Sequence, residues 1–289
     1  MYRPGSRLRE LLASPLLLMP GVYDALSARL AERAGFSAIM AGGYSAAASL
    51  FAEPDAGQLT LNDYVDHYGR IAAAVQVPVF VDADTGFGGV NNVRRAVREF
   101  DRAGTAGLFL EDQTTPKRCG YISGKHVISP EEMIAKIHAA LEARLDPSFV
   151  ICARTDAWGT HGADEAIERA RRYLDAGADM AFVQGADEIA DLARVCREAG
   201  GLQLANISHA SSRAKPTAAE IASTGAAAVI FPSAALFAAV GAVAEAFSAL
   251  KRDGVFATVD ANFPSAATLN EVLGLDAFVA RENSVYSQQ

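Results

Sequence analysis

Residues 79–89 read VFVDADTGFGG: an apolar run that ends in two aspartates and is followed by a glycine-rich turn. The apolar residues are of the β-branched and aromatic types that favour a buried strand. On a strand, residues i and i+2 point to the same face, so Asp82 and Asp84 are expected to converge. Converging carboxylates repel each other unless a cation lies between them or one takes a proton. The alternative for a single D-x-D is a helix cap beside a solvated side chain.

The next apolar run, residues 107–110, also ends in acids, because Glu111 and Asp112 follow it. One helical pattern separates the two runs, which indicates neighbouring strands of one sheet. Carboxylate oxygens at adjacent strand ends are the ligands that a hard divalent cation prefers. We therefore predict a Mg²⁺ site, with Mn²⁺ as the alternative metal, formed by Asp82, Asp84 and Glu111.

The composition is typical of a soluble enzyme. The 289 residues are 51% hydrophobic, and the net charge is −8 at pH 7. An acidic chain without a basic run does not suit nucleic acid or an anionic membrane as a partner. Three cysteines without C-x-x-C spacing indicate a reducing cytoplasm, with no disulfides and no structural zinc. Neither a signal peptide nor a membrane span is predicted, since no run reaches about 18 apolar residues.

Short apolar runs alternate with helical patterns eight times along the chain. The predicted strands are residues 16–19, 38–41, 77–81, 107–110, 150–153, 180–183, 202–205 and 228–231. The helical patterns are residues 24–34, 61–74, 91–103, 130–144, 163–176, 187–198, 217–223 and 234–250. Eight such units predict an α/β fold, a (β/α)8 TIM-type barrel over residues 1–250. A doubly wound open sheet is the alternative, disfavoured because no G-x-G-x-x-G follows an early strand.

Residues 251–289 contain one amphipathic segment, residues 266–279. This segment offers too little apolar surface to form a core of its own. We predict a C-terminal helical extension that packs on the barrel or on a neighbouring subunit.

In such a barrel the chemistry lies at the C-terminal ends of the strands. The residues that follow the predicted strands there include Tyr23, Gly42, Gly43, Asp82, Asp84, Glu111, Arg154, Gln184, Asn206, Ser208 and Pro232. Two connections, residues 44–60 and 112–129, are longer than the barrel requires, and long loops are usually lids or binding loops. The second carries Cys119 beside Lys117, where nearby cations favour the thiolate. Cys119 is therefore the candidate general acid on a gate that closes over the substrate.

Seven motifs together resemble the isocitrate lyase/phosphoenolpyruvate mutase superfamily, over roughly residues 5–250. They are GVYDALSA at 21–28, VDADTGFG at 81–88, LEDQ at 110–113, PKRCG at 116–120, ARTDA at 153–157, AGAD at 176–179 and ANI at 205–207. The resemblance is closest to the short-chain branch, which includes methylisocitrate lyase, dimethylmalate lyase, oxaloacetate hydrolase and carboxyvinyl-carboxyphosphonate phosphorylmutase. It implies a TIM-type barrel whose eighth helix is exchanged between paired subunits in a homotetramer.

The resemblance also implies roles for individual residues. Asp84 holds Mg²⁺, and Asp82 and Glu111 reach it partly through water. Arg154 contacts the substrate oxygens, and the loop from Lys117 to Tyr121 is the mobile gate. The other substrate-binding residues implied are Tyr23, Ala41, Gly42, Gly43, Asp55, Gly120, Gln184, Asn206, Ser208 and Pro232.

The residues and the resemblance agree on a Mg²⁺-dependent carbon–carbon lyase. Its expected substrate is a 2-hydroxy di- or tricarboxylate, cleaved to an α-keto acid and a second carboxylate. Arg154 and donors of the loop, Lys117 among them, stabilise the developing enolate. Cys119 protonates that enolate, and Tyr44 or a carboxylate-bound water takes the proton of the hydroxyl group.

The chain departs from the lyase pattern at four positions. Phe109 and Tyr121 stand where the lyases have histidine, Gln184 where they have glutamate, and Ala41 where they have serine. Methylisocitrate itself is therefore a poor candidate for the substrate. The alternatives are an oxaloacetate hydrolase or decarboxylase, a carboxyphosphonate-type phosphonomutase, and a catalytically silent barrel that binds a keto acid.

Overall fold

The computed structural model describes residues 3–120, 124–208, 215–256 and 263–286. Eight parallel strands pair in the order β6-β5-β4-β3-β2-β1-β8-β7. They are β1 (Leu17–Val22), β2 (Ile39–Ala41), β3 (Val79–Asp82), β4 (Gly107–Glu111), β5 (Val150–Thr155), β6 (Met180–Val183), β7 (Leu204–Asn206) and β8 (Ala228–Phe231). A parallel bridge between Ala181 and Gln203 connects β6 to β7, which brings the sheet round into a nearly closed cylinder. The predicted (β/α)8 barrel is confirmed.

Helices connect the strands. They are α1 (Pro4–Leu12), α2 (Ala25–Arg33), α3 (Gly43–Phe51), α4 (Leu61–Ala74), α5 (Val90–Arg102), α6 (Pro130–Ala143), α7 (Trp158–His161), α8 (Ala163–Asp175), α9 (Ile189–Ala199), α10 (Ala218–Ser223), α11 (Ala234–Asp253), α12 (Ala266–Leu273) and α13 (Leu275–Tyr286). All eight helical patterns of the sequence are present, with slightly different ends. α1, α3 and the single turn α7 are not anticipated by the sequence patterns.

α1 packs on one end of the barrel. Its Leu8 and Leu12 are buried against interior residues such as Leu17 and Phe80. Arg9 fastens the helix by donating to the carbonyl of Ser148 at 2.8 Å. The apolar N-terminal run is therefore part of the barrel's core.

α3 occupies the first half of the connection that the sequence predicts as a long loop. Three consecutive alanines, residues 46–48, explain the difference, because alanine has the highest helix propensity. The second long connection, residues 112–129, is partly paired: Gln113 and Val127 form an antiparallel bridge. Both predictions of a structureless loop are wrong over these parts.

Side chains of the strands alternate between the barrel interior and the layer of helices. On four consecutive strands the buried interior residues nearest the C-terminal end are Phe80, Phe109, Cys152 and Phe182. Because side chains on a strand repeat every second residue, the next inward positions are Asp82, Glu111, Arg154 and Gln184. All four of these polar residues line one pocket. The strand period thus places the charged groups directly on top of the apolar core.

Most side chains of α11, the eighth helix of the barrel, are exposed to solvent. Ala246 and Ala249 are its buried residues, whereas Val240 and Phe247 are 58% and 65% exposed. The helix is 20 residues long and, by length and composition alone, could cross a membrane. The expectation that no run is long and apolar enough is therefore wrong for α11.

The C-terminal extension packs on α2 of the same chain. Arg29 donates to the carbonyl of Leu273 at 2.6 Å, and Arg33 pairs with Glu271 at 2.8 Å. The predicted single segment is split into α12 and α13 at Gly274, whose φ of +73° ends α12 in the left-handed conformation. α11 runs to Asp253, so the predicted boundary at residue 250 falls inside its last turn.

Candidate active site

A pocket lies at the C-terminal ends of the strands, where the barrel predicts it. The predicted site residues that line it are Gly42, Gly43, Tyr44, Asp55, Asp82, Glu111, Lys117, Cys119, Gly120, Arg154, Gln184, Asn206, Ser208 and Pro232. The lining residues that the sequence analysis does not identify are Met40, Ser45, Phe182, Ile230, Ser233 and Phe237. Met40, Phe182 and Ile230 stand two residues before a predicted site residue, so the strand period could have identified them.

Four predicted residues are not part of this lining. Tyr23 and Asp84 are described but do not line the pocket. Ala41 packs in the layer between the sheet and the helices, not in the barrel interior. Tyr121 lies outside the described residues.

Asp82 and Asp84 approach each other by a different geometry from the one predicted. β3 ends at Asp82, and Asp84 has a φ of +45°, in the left-handed region. Asp82 accepts from the backbone N–H groups of Asp84 at 2.9 Å and Gly43 at 3.1 Å. Asp84 accepts from the Tyr64 hydroxyl at 3.0 Å and pairs with Lys117 at 2.6 Å. Of the two aspartates, Asp82 is therefore the one that faces the pocket.

Lys117 is a buried cation held between two acids. Its Nζ lies 2.7 Å from Asp55 and 2.6 Å from Asp84, and its side chain is only 5% exposed. Burial by itself lowers the pKa of Lys117, but the charges of Asp84, Glu111, Asp82 and Asp55 outweigh burial and raise the pKa well above its usual value. Lys117 is therefore a fixed positive charge and not a base.

Arg154 is held in place by two buried carboxylates and two aromatic rings. The register of β4 and β5 sets it opposite Glu111, and the two side chains pair at 3.1 Å. Asp156 accepts two further bonds from the guanidinium, at 2.9 and 3.1 Å. The rings of Phe182 and Phe109 lie 5.2 and 5.9 Å from its Cζ, within the range of cation–π attraction. Phe109, one of the departures from the lyase pattern, therefore packs on the arginine.

The cluster contains more acids than cations. Asp55, Asp82, Asp84 and Glu111 face Lys117 and Arg154, an excess of two negative charges when all are ionised. Oε1 of Glu111 is buried and has no hydrogen-bond partner among the described residues. Burial raises the pKa of Glu111 well above its usual value, although Arg154 opposes the rise. A divalent cation would compensate this excess.

The cluster fits Mg²⁺ in particular. Within the described ranges, no three acidic, imidazole or thiol groups converge to form a complete metal cage. Mg²⁺ does not need one, because it is usually bound through one or two carboxylates and keeps several waters. Asp82 and Glu111 both line the pocket and can supply those carboxylates. A Cβ on Gly43 would come within 3.2 Å of Asp82 and 2.6 Å of the Tyr64 hydroxyl, so glycine keeps the space beside the acids open.

Comparison with known proteins identifies the family of this chain. Residues 8–251 match the family model described as phosphoenolpyruvate phosphomutase. The chain belongs to the phosphoenolpyruvate mutase/isocitrate lyase superfamily. A curated relative, 2,3-dimethylmalate lyase of Eubacterium barkeri, is 39% identical over 272 residues, which cover 94% of each chain.

Solved structures of other superfamily members share the whole fold. Oxaloacetate acetylhydrolase in complex with 3,3-difluorooxalacetate matches with a TM-score of 0.92 and 36% identity, over 98% of each chain. Phosphonopyruvate hydrolase in complex with oxalate and Mg²⁺ matches with a TM-score of 0.87 and 32% identity, over 98% of this chain and 99% of that one. Phosphonopyruvate hydrolase therefore binds Mg²⁺ together with a small dicarboxylate.

The acids of this superfamily member predict how its stability depends on pH. Burial, opposed by Lys117 and assisted by Asp82 and Asp55, raises the pKa of Asp84 from 3.8 to about 7. The folded state therefore binds a proton that the unfolded state has released, and this stabilisation is lost as the pH rises through about 7. Without metal, the free energy of unfolding should therefore fall from about pH 4 to about pH 7 and level off above that. Urea titrations should show a shallower fall for Asp84→Asn, and an equal slope in both proteins would contradict the assignment.

Proposed function

We propose that this enzyme is a Mg²⁺-dependent lyase that breaks the carbon–carbon bond of a 2-hydroxy di- or tricarboxylate. The observation that carries the proposal is the pair of buried carboxylates, Asp82 and Glu111, in one pocket with Arg154, which is itself held by Glu111 and Asp156. The dimethylmalate lyase relative supports the substrate class. Phe109, Phe182 and Ile230 on the pocket wall suit an alkyl substituent better than a third carboxylate. 2,3-Dimethylmalate is therefore the first substrate to test.

Asp82 and Glu111 are the residues that would hold Mg²⁺, and Mn²⁺ also suits these oxygen ligands. Bound there, the ion would act as a Lewis acid and favour ionisation of the substrate's hydroxyl group. Asp55 and Asp84 are not metal ligands in this proposal, because both form ion pairs with Lys117. They fix the ammonium group at the edge of the pocket.

The N-terminus of α3 is the proposed site for the carboxylate of the α-keto acid. Gly42, Gly43, Tyr44 and Ser45 form this helix start and line the pocket. Backbone N–H groups at a helix N-terminus favour a bound anion. This arrangement would direct the rest of the substrate toward Arg154 and the apolar wall.

Bond cleavage leaves an electron pair on the carbon that departs from the α-keto acid. Arg154 faces this developing enolate and stabilises its charge. The thiol of Cys119, on the pocket wall, donates its proton to the carbon and completes the second carboxylate. Tyr44, whose ring stacks on Phe237 at 6.2 Å, or a carboxylate-bound water accepts the hydroxyl proton.

Hydrolysis of oxaloacetate is the second candidate reaction, since the structure of oxaloacetate acetylhydrolase matches over nearly the whole chain. It also breaks a carbon–carbon bond, with water as the partner.

The test follows pyruvate release from 2,3-dimethylmalate with Mg²⁺, with Mn²⁺ and after chelation by EDTA. Release of pyruvate and propionate that stops with EDTA and returns with Mg²⁺ is the expected result. Cleavage of oxaloacetate alone would favour the hydrolase. If Mg²⁺ and oxalate raise the melting temperature but neither substrate is turned over, the barrel is a silent keto-acid binder.

We also propose that the enzyme is a cytoplasmic homotetramer built from pairs that exchange α11. The exposed apolar side chains of α11, Phe237, Val240, Val243 and Phe247, support this arrangement because a second subunit would cover them. Sedimentation velocity should give the mass of a tetramer. Phe247→Asp should shift the mass toward smaller species, and a monomeric wild type would refute the proposal.

A further inference from the structure

Cys119 lies between two residues whose backbone is clamped by buried side chains. On one side stands Gln113, which follows β4 and is 1% exposed. Its amide accepts from the N–H of Arg118 at 3.0 Å and donates to the carbonyl of the same residue at 2.9 Å. One side chain thus binds both backbone groups of the residue before the cysteine.

On the other side of the cysteine stands Lys125. Its Nζ donates to the carbonyl of Gly120 at 2.6 Å and to Asp156 at 2.7 Å. The side chain is 10% exposed, so water competes little for these bonds. The residue after the cysteine is thereby tied to the acid that also holds Arg154.

Gln113 and Asp156, which anchor the two clamps, follow β4 and β5 at the C-terminal end of the barrel. The segment that carries Lys125 pairs with the extension of β4, where the N–H of Thr114 donates to the carbonyl of His126 at 2.9 Å. Asp156 is fully buried, and its own N–H donates to Asp112 at 2.9 Å. Tyr173 holds the other oxygen of Asp112 at 2.8 Å.

Gly120 fits tightly beneath the clamp. A Cβ at this position would lie 2.7 Å from Nη2 of Arg154 and 2.7 Å from Cδ of Gln184. The backbone next to Cys119 therefore rests directly on the side chain that is proposed to stabilise the enolate. Displacement of Gly120 would alter the distance between the proton donor and the carbon it must reach.

We infer that Gln113 and Lys125 are positioning residues that fix Cys119 relative to Arg154. The inference rests on the proposed function, because it assigns the clamps to the proton donor of that reaction. Neither residue reaches the substrate; each acts through the backbone of residues 118–120. A displacement of about 1 Å at a reacting group can cost about 100-fold in rate, so loss of a clamp should reduce kcat much more than substrate binding.

The test compares Lys125→Met with Lys125→Arg, which keeps the charge, and with Lys251→Met, which removes an exposed lysine at the end of α11. Lys125→Met should lower kcat on 2,3-dimethylmalate by about 10- to 100-fold, with the Kd for oxalate in the presence of Mg²⁺ changed little. Lys125→Arg should recover most of the loss, and Lys251→Met should match the wild type. Gln113→Met, which lacks both amide bonds, should repeat the effect of Lys125→Met.

A double-mutant cycle separates positioning from a general structural role. If Lys125 acts through Cys119, adding Lys125→Met to Cys119→Ser should cost almost nothing further, because the group being positioned is already gone. Fully additive losses in kcat would overturn the inference.

A second readout does not depend on turnover. The rate at which iodoacetamide alkylates Cys119, followed by peptide mass spectrometry, should rise several-fold in Lys125→Met and Gln113→Met. An unchanged alkylation rate in both variants would overturn the inference even if the substrate assignment were correct. A raised rate in an enzyme that cleaves neither substrate would support the clamps and refute the proposed reaction.

Discussion

Cys119→Ser is expected to lower kcat on 2,3-dimethylmalate by about 10²- to 10⁴-fold, the usual contribution of a positioned general acid. Serine keeps the size of the side chain but is a far weaker acid than a thiol. The Kd for oxalate with Mg²⁺ should not change, because Asp82, Glu111 and Arg154 remain in place. Steady-state kinetics and titration calorimetry measure the two quantities separately.

Cys196→Ser is the matched control for this variant. Cys196 is on α9, away from the pocket lining, and should tolerate the same substitution without loss of kcat. Normal turnover by Cys119→Ser would mean that another group delivers the proton. Equal losses in kcat and in oxalate affinity would mean that Cys119 contributes to binding and not to proton transfer.

Arg154→Met is expected to abolish measurable turnover and to lower the free energy of unfolding by about 3–5 kcal/mol, the usual cost of breaking a buried ion pair. The arginine compensates Glu111 and Asp156, whose side chains are 1% and 0% exposed. Its removal leaves Glu111 without its paired cation and leaves Asp156 with Lys125 alone. Urea unfolding, with the denaturant dependence compared between the two proteins, measures the loss.

Arg171→Met controls for the loss of an arginine that bridges two acids. Arg171 pairs with Glu168 and Asp175 on the surface of α8, and its side chain is 47% exposed. Water and salt screen such pairs, so this variant should unfold at nearly the same urea concentration as the wild type. If Arg154→Met were as stable as Arg171→Met, the buried carboxylates would have to be compensated by other groups.

The alternation of side chains accounts for how much of the barrel and of the site the sequence could predict. Apolar strand runs that alternate with helical patterns are local features of the sequence. They indicated all eight strands and placed Asp82, Glu111 and Arg154 at the C-terminal ends of those strands. The same reasoning failed at Asp84, because β3 ends at Asp82, two residues before the i, i+2 argument requires, and the backbone turns to a positive φ at Asp84. It also failed for α3, where helix propensity acts inside a segment assigned as a loop.

By itself, the sequence determined which residues follow each strand and therefore which groups share the pocket. Only the tertiary structure decided what those groups do to one another. Lys117 reaches Asp55 and Asp84 across gaps of 62 and 33 residues in the chain, and Lys125 reaches Asp156 across 31. Such pairings depend on how the connections fold back over the barrel, and burial then raises the pKa of Asp84. A sequence pattern specifies neither the distances between the paired side chains nor how far they are buried from water. Both quantities are needed to set the charge of this pocket.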